Sequence, residues 1–354
     1  MSTRPAVTSH DAVGLLRGMV EIPSESYEES RLAHYLLKVL ESWGFTASLD
    51  RVGNVVGEID RGPGPSVLLL GHMDTSAGRP EVRLADGRLH GRGTVDAKGP
   101  LAAMLCAAAN ARTFRGRLRV VGAVEEETPH SRGATEIVRQ GDRPDAVIVG
   151  EPSGVDAVVL GYKGRLDLQY DVRCASTHPT NPQPHATELT VRAWHTLLDV
   201  LGPTSHHAFD RPGATLTALS GDLETASARL TVRTSPDFDE NAFTEELRRR
   251  VSPGDVTVVH SVPACRVRRT DPVVKALTRA IRGQRLSPRA KVKTATSDMN
   301  TLAEHWDVPM ATYGPGDSAL DHSADEHIVL SEYLRSIAVL SDALDELFLS
   351  LGHR

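Results

Sequence analysis

Short apolar runs alternate with amphipathic stretches over the first 150 residues. Strands are predicted for the apolar runs at 46–50, 55–58, 66–70, 117–124 and 146–149. Two helices are predicted within 8–45, the second of them at 28–43, and further helices at 99–110 and 132–140. The evidence is either apolar residues at helical spacing or a longer run of small residues. Strands that alternate with helices in this way predict an α/β fold with a mostly parallel sheet.

The middle of the chain follows a different pattern. Its predicted order is strand 164–173, helix 185–201, strands 214–220 and 228–234, helix 239–251 and strand 256–261. This β-α-β-β-α-β order is ferredoxin-like. We therefore expect an inserted α+β lid or dimerisation domain at 160–265, within a discontinuous catalytic domain made of 1–159 and 266–354. The catalytic part resumes with a helix at 271–283, a strand at 309–313 and a final helix from Ser331.

Five polar motifs interrupt the predicted catalytic domain, and most of them follow a predicted strand. They are Gly71-His72-Met73-Asp74-Thr75, Gly91-Arg92-Gly93 with Asp96 and Lys98-Gly99, Glu125-Glu126-Glu127, Gly150-Glu151-Pro152 and Asp321-His322-Ser323. Imidazoles and carboxylates are the ligands that divalent metals take in hydrolytic centres. Two histidines and at least three carboxylates therefore predict a bridged two-metal hydrolytic site.

Each motif also has a less specific interpretation. In an extended chain His72 and Asp74 point to the same side, so His72 can bind a metal while Asp74 orients a neighbouring group. Asp96 has two oxygens and can bridge two cations, although an aspartate that caps a helix is the common alternative. At the acidic triplet the working pair is either Glu125 and Glu126 or Glu126 and Glu127, as metal ligand and general base.

The last motif supplies a histidine from a loop rich in glycine and proline. Asp321 or Asp325 could hold the ring of His322 in one tautomer. Surface or structural roles are predicted for the remaining histidines, which include His90, His130, His185, His206, His207, His260, His305 and His327.

Composition narrows the class of protein. With 40 basic and 46 acidic residues the net charge is −6, which argues against a nucleic-acid-binding surface. Three scattered cysteines without metal-ligand spacing indicate free thiols in a reducing compartment. Residues 1–5 contain no apolar signal core and the chain has no apolar run of 18 residues. We therefore expect a cytoplasmic protein that does not enter membranes.

Taken together, the five motifs resemble the co-catalytic zinc exopeptidase and deacylase family, which includes acetylornithine deacetylase, succinyl-diaminopimelate desuccinylase and glutamate carboxypeptidase. The resemblance implies two divalent metal ions per subunit, with Zn²⁺ preferred and Co²⁺ as the alternative. One metal would take His72, Asp96 and Glu151. The other would take Asp96, Glu127 and His322. The triplet aligns with the family's Asp-Glu-Glu, which makes Glu126 the general base and Asp74 the second catalytic carboxylate.

The resemblance also assigns roles to the lid. His178 looks like the lid histidine that reaches the oxyanion site of the partner subunit in dimeric relatives, and Arg233 could polarise a carbonyl or hold a carboxylate. A homodimer through the lid is implied.

Within the family, the motifs 294–300 and 313–317 are most similar to the branch that releases lysine, and in some organisms ornithine, from the amino-group carrier protein LysW in lysine biosynthesis through α-aminoadipate. A conjugate of this acidic carrier would then be the substrate. The cations that could attract it are Arg79, Arg92, Lys163, Arg165 and Arg233. The alternatives are an N-acyl-amino-acid deacylase, a dipeptidase or carboxypeptidase, and a metal-binding relative without activity. The last is disfavoured because Glu126, Asp74 and every ligand position are filled.

Overall fold

The structure, a computed structural model, describes residues 6–111, 113–180 and 182–352. Residues 1–5, for which the sequence predicts no apolar signal core, lie outside the described residues. The chain forms two compact units. The first contains the chain up to Gly161, Val267–Lys291 and the chain from Ser297, and the second contains Tyr162–Arg266 and Val292–Thr296.

The elements are numbered along the chain. The α-helices are α1 (Ser9–Glu21), α2 (Ser30–Ser42), α3 (Lys98–Asn110), α4 (Arg132–Gln140), α5 (Ala186–Leu201), α6 (Glu240–Arg250), α7 (Pro272–Gly283), α8 (Asp298–His305) and α9 (Leu330–Leu351). The strands are β1 (Thr46–Leu49), β2 (Val55–Asp60), β3 (Ser66–His72), β4 (Arg83–Ala85), β5 (Arg88–His90), β6 (Arg117–Ala123), β7 (Ala146–Gly150), β8 (Ala157–Tyr162), β9 (Gly164–Arg173), β10 (Gly213–Gly221), β11 (Thr225–Thr234), β12 (Asp255–Val262), β13 (Cys265–Arg266), β14 (Arg289–Lys293), β15 (Met310–Thr312) and β16 (His327–Val329).

A large sheet forms the centre of the first unit. Seven of its nine strands run in the order β1-β2-β6-β3-β7-β15-β8. The middle is parallel, since β3 pairs in parallel with β6 and β7 and β15 pairs in parallel with β7, while β1, β2 and β8 add antiparallel pairs at the two sides. The carboxyl ends of β6, β3 and β7 therefore meet at one edge, which is where ligands bind in open α/β sheets.

Helix α3 packs unusually close to this edge. Its residues from Lys98 to Ala108 are all buried, which explains their small apolar character. Gly71 and Gly150 at the ends of β3 and β7 leave the necessary space. A Cβ at Gly71 would lie 3.2 Å from the Cβ of Leu101, and one at Gly150 would lie 2.8 Å from the sulfur of Met104. Glycine in these strands therefore marks a close approach of helix and sheet beside the polar motifs.

The second unit contains a four-stranded antiparallel sheet in the order β10-β11-β9-β12. With α5 after β9 and α6 after β11, this is the ferredoxin-like arrangement that the pattern predicts. The strands alternate because only one face is covered, so Leu166, Leu168, Tyr170 and Val172 of β9 are buried in the core of this unit. The predicted fold class, an α/β sheet domain with an inserted α+β domain, is confirmed.

A third, small sheet was not predicted from the sequence. Strands β16, β5 and β4 pair in that order, with His327 opposite His90 and His90 opposite Arg83. Three-residue strands are too short to show a period of two, so pattern analysis misses them.

The described helices include none that is both long and apolar enough to cross a lipid bilayer.

Candidate metal centre

The strand order brings three of the five motifs, those of His72, of the acidic triplet and of Glu151, to one edge of the large sheet. His72 is the last residue of β3, the acidic triplet follows β6 after one residue, and Glu151 follows β7 directly. Asp96 lies in the loop before α3. His322 comes from the loop after β15, just beyond a 3₁₀ helix at Ser318–Leu320.

Two groups of possible metal ligands share one carboxylate. His72, Asp96 and Glu151 form one group, and Asp96, Glu127 and His322 form the other, with the ligand atoms of each group within 4.8 Å of one another. The oxygens of Asp96 divide between the groups. Its Oδ1 lies 3.3 Å from Nε2 of His72, and its Oδ2 lies 3.0 Å from Nε2 of His322. The two oxygens of Asp96 are therefore directed at different groups, as a carboxylate that bridges two metals would require.

The His72 ring is held in the tautomer that a metal needs. Nδ1 lies 2.9 Å from the backbone oxygen of Asp74, so Nδ1 carries the proton and donates it to that carbonyl. Nε2, which faces Asp96 and lies 3.5 Å from Oε1 of Glu151, is therefore the nitrogen that a metal would take. A backbone acceptor that fixes the ring in this way is typical of metal-binding histidines.

The Asp74 carboxylate organises the acidic triplet. Its Oδ1 accepts the backbone N–H of Glu126, and its Oδ2 accepts that of Glu127, both at 3.0 Å. Oδ2 also accepts the hydroxyl of Ser26 at 2.8 Å. These bonds fix the turn from which Glu126 and Glu127 project, so Asp74 would act on the site through the position of those two residues.

Glu125 is turned away from the other two glutamates of the triplet. Its φ of 58° lies in the left-handed region, and its side chain forms an ion pair of 2.6 Å with Arg132. Its backbone N–H donates to Oε1 of Glu29 at 3.0 Å. Glu127 instead lies 2.8 Å from Nε2 of His322. This geometry favours Glu126 and Glu127 as the working pair, which the spacing alone left open.

The centre carries more negative charge than its own cations balance. Burial and the nearby Glu151 carboxylate raise the pKa of Glu126 well above its ordinary value. Hydrogen bonds that the protonated ring donates to the carboxylates of Asp96 and Glu127 raise the pKa of His322 to about 10. Burial alone would lower the pKa of His72, yet Asp74 and Asp96 raise it well above its usual value. A field that favours imidazolium also favours a bound cation, so the donor set fits two divalent metals.

The two ligand groups differ in access. The His72 side chain is 1% exposed, whereas that of His322 is 47% exposed. The ligand group that contains His322 is therefore the more exposed of the two.

Two acidic residues of the centre were not recognised from the sequence. Glu326 is buried and accepts the backbone N–H groups of Val95 (2.9 Å) and Asp96 (3.2 Å) while it pairs with Arg92 at 2.8 Å. Asp298 at the start of α8 is buried beside Asp74, and burial raises its pKa to about 7. Neither directly follows a strand of the large sheet, and the motif 294–300, which contains Asp298, did not suggest a role for that residue. Glu326 positions the loop that carries Asp96.

The two residues predicted to act from the lid belong to the second unit. Nδ1 of His178 accepts the backbone N–H of Thr180 at 3.3 Å, which places the ring proton on Nε2. Arg233 ends β11 and donates to the hydroxyl of Thr296 at 2.9 Å. Their catalytic roles stay predictions.

Three of the cations expected to attract an acidic carrier are paired within the protein. Arg92 pairs with Glu326, Arg79 with Glu25 (3.8 Å) and Arg165 with Asp167 (2.8 Å). The sequence offers Asp325 as one of two carboxylates that could hold the His322 ring. In the structure its carboxylate lies instead beside His90 and His327, on the small sheet.

Comparisons with known proteins find relatives over nearly the whole chain. A model of peptidase family M20/M25/M40 matches residues 68–346. The chain is 40% identical to the LysW-lysine hydrolase of Deinococcus radiodurans over 97% of this chain and 99% of that protein. It is 39% identical to a putative LysW-lysine/LysW-ornithine hydrolase of Thermococcus kodakarensis, over 96% and 93% of the two chains.

Solved structures show the same fold. Aminopeptidase PepT of Bacillus cereus superposes with a TM-score of 0.82 at 17% identity, over 96% of this chain and 99% of that one. The YXEP protein of Bacillus subtilis, described as a dinuclear metal binding peptidase from the M20 family, superposes with a TM-score of 0.77 at 12% identity, over 96% and 98%.

Proposed function

Because the chain belongs to peptidase family M20/M25/M40, we propose that it is a two-metal amide hydrolase that releases lysine from the carrier protein LysW, with ornithine as the alternative amino acid. The observation that carries this proposal is the shared carboxylate of Asp96, whose two oxygens serve two separate ligand groups. The names of relatives at 39–40% identity over nearly the whole chain support the carrier-linked substrate.

The ligand sets follow from the two groups. His72, Asp96 and Glu151 would hold one cation, and Asp96, Glu127 and His322 the other. Mixed imidazole and carboxylate donors suit Zn²⁺, and Co²⁺ is a plausible substitute. When bound, the cations supply Lewis-acid polarisation of the scissile carbonyl and lower the pKa of a water molecule.

The proton transfers belong to Glu126. In the proposed reaction its carboxylate takes a proton from the attacking water as the new C–O bond forms. It then gives that proton to the nitrogen of lysine as the C–N bond breaks, so one water is consumed and a free amine and a carboxylate are produced. Asp74 keeps Glu126 in place through the backbone bond described above.

The lid is proposed to form the homodimer and to complete the site. The tautomer of His178 leaves its Nε2–H as a hydrogen-bond donor, which is what stabilisation of an oxyanion requires. The exposed position of His178 suits a role toward another subunit. Arg233 would hold a carboxylate or the carbonyl from the same domain.

Subunit mixing tests this arrangement. Homodimers of His178→Ala and of Glu126→Gln should both be inactive, whereas their heterodimer should regain activity at one of its two sites, because that site combines an intact Glu126 with an intact His178. The measurement is turnover of purified heterodimers that carry two different affinity tags. Absence of recovery in confirmed heterodimers would place His178 outside the partner's site.

A hydrolysis panel tests the function itself. The substrates are LysW-linked lysine, LysW-linked ornithine, N-acetylornithine, N-succinyl-diaminopimelate and a set of dipeptides, each assayed for release of the free amine by the Zn²⁺-loaded enzyme. We expect carrier-linked lysine to give the highest kcat/KM. The Glu126→Gln variant prepared in parallel controls for contaminating hydrolases.

The panel separates the alternatives clearly. Faster turnover of the acetyl or succinyl compounds would make the protein a deacylase of small molecules. Faster turnover of dipeptides would make it a peptidase. Either result would overturn the carrier-linked assignment, while the ligand set would remain unchanged.

A further inference from the structure

A third group of possible metal ligands lies on the small sheet, separate from the two that share Asp96. His90, Asp325 and His327 each offer one ligand atom, and these atoms lie within 4.8 Å of one another. His90 of β5 stands directly opposite His327 of β16 in the antiparallel register. Directly opposed side chains on a sheet have their Cβ atoms close together, so both imidazoles can reach one ion. Their ring centroids are 4.9 Å apart.

The carboxylate completes the group from the same chain segment. Asp325 precedes His327 by two residues, and its Oδ1 lies 3.5 Å from Nδ1 of His90. Its Oδ2 lies 3.8 Å from the His327 ring at Nδ1, which is not the nitrogen that would bind the ion. The Asp325 side chain is 74% exposed, so an ion can enter from solvent and keep a water molecule as a further ligand. Two imidazoles, one carboxylate and a water form a donor set that Zn²⁺ accepts.

The hydrogen bonds of His327 leave one ring nitrogen available, whereas Nδ1 of His90 is shared with Arg83. Nδ1 of His327 donates to the backbone oxygen of Asp325 at 2.7 Å, so its Nε2 carries the lone pair. Arg83 also approaches the His90 ring, with its Nη2 3.3 Å from Nδ1.

From this geometry we propose that His90, Asp325 and His327 form a third transition-metal site that takes Zn²⁺ and cross-links β5 to β16. Arg83 competes with the ion for Nδ1 of His90. It must turn into solvent when the metal binds, and its charge limits the affinity.

The position of the site gives it a consequence for the metal centre. Its two ligands from β16 and the preceding loop flank Glu326, whose carboxylate binds the backbone of Val95 and Asp96. The backbone oxygen of Glu326 also accepts the N–H of Gly91, next to His90. An ion that joins His90 to both neighbours of Glu326 would therefore stabilise the segment that positions Asp96. This role is structural and does not depend on which amide the enzyme cleaves.

Zinc stoichiometry tests the proposal. Enzyme without a histidine tag is first loaded with two equivalents of Zn²⁺ and then titrated with Zn²⁺ in equilibrium dialysis, with metal counted per chain by elemental analysis. We expect a third equivalent in the wild type, and its loss in the variant that combines His90→Asn and His327→Asn. The matched control combines His10→Asn and His34→Asn, two exposed histidines on helices, and should keep the third equivalent.

Two further variants make the result specific. Asp325→Asn, at an exposed position, should weaken the third equivalent by at least the ~10–100-fold that loss of a supporting partner costs at a metal site. Arg83→Gln should bind the third equivalent more tightly than the wild type, because a competing cation is removed. In the wild type the third equivalent should also raise the thermal midpoint, and in the double variant it should not.

The opposite results are equally clear. Only two equivalents in the wild type would overturn the proposal, and so would a third equivalent that survives in the His90→Asn, His327→Asn variant. An Arg83→Gln variant with unchanged or weaker affinity would place any third ion away from Nδ1 of His90. Turnover of the double variant at two equivalents reports whether its metal centre is intact, so failure of the third site is distinguishable from failure of the proposed function.

Discussion

Replacement of Glu126 by glutamine is expected to reduce turnover by ~10²–10⁴-fold, the contribution that a positioned general base makes to such reactions. Glutamine keeps the shape of the side chain and cannot accept the proton of the attacking water. The backbone bond from residue 126 to Asp74 is unaffected by the change, so the turn that presents Glu127 should persist. The measurement is kcat on the best substrate of the panel, together with metal content per chain.

The neighbouring glutamate provides the control. Glu125→Gln removes one carboxylate of the same triplet, but this side chain pairs with Arg132 and does not face the ligand groups. It should therefore retain most of the activity. If Glu125→Gln were inactive and Glu126→Gln active, the assignment within the triplet would be wrong by one residue.

Replacement of Asp96 by asparagine is expected to weaken both metal sites at once. The asparagine amide has one oxygen where the carboxylate has two. It therefore cannot supply an oxygen to both the ligand group of His72 and the ligand group of His322. Each site should lose at least the ~10–100-fold in affinity that disturbance of a supporting partner costs. Metal content after dialysis against a weak chelator, measured by elemental analysis, should fall from two equivalents toward none.

A variant of His322, which belongs to the second ligand group alone, provides the comparison with Asp96→Asn. His322→Asn removes a ligand that belongs to one group only, and it should release one equivalent while the His72 group keeps its ion. Loss of a single equivalent from Asp96→Asn would contradict the bridging role. Full activity after exhaustive chelation of the wild type would contradict the two-metal mechanism as a whole.

Much of the fold is predictable from local pattern because its elements are long and regular. The strands at the centre of the large sheet are continuous apolar runs, and the strand β9 of the second unit alternates over ten residues. Both patterns follow directly from whether a sheet is covered on two faces or on one. The small sheet of β4, β5 and β16 escapes the same analysis, since each strand has only three residues.

The sequence by itself determined which side chains lie at the edge of the sheet. His72, the acidic triplet and Glu151 follow strands that pair in parallel, and parallel strands end at a common edge whatever the details of packing. Asp96 and His322 were chosen by residue type and by resemblance, and the structure brings their ligand atoms to the same place.

Only the tertiary structure decided how those side chains are oriented and which groups they bind. Glu125 turns toward Arg132 because its backbone is left-handed there, and Asp74 holds the other two glutamates by their N–H groups. Glu326 reaches the Asp96 loop across 230 positions of sequence. Contacts of this kind depend on register and loop closure between distant segments, and no local period of the sequence records them.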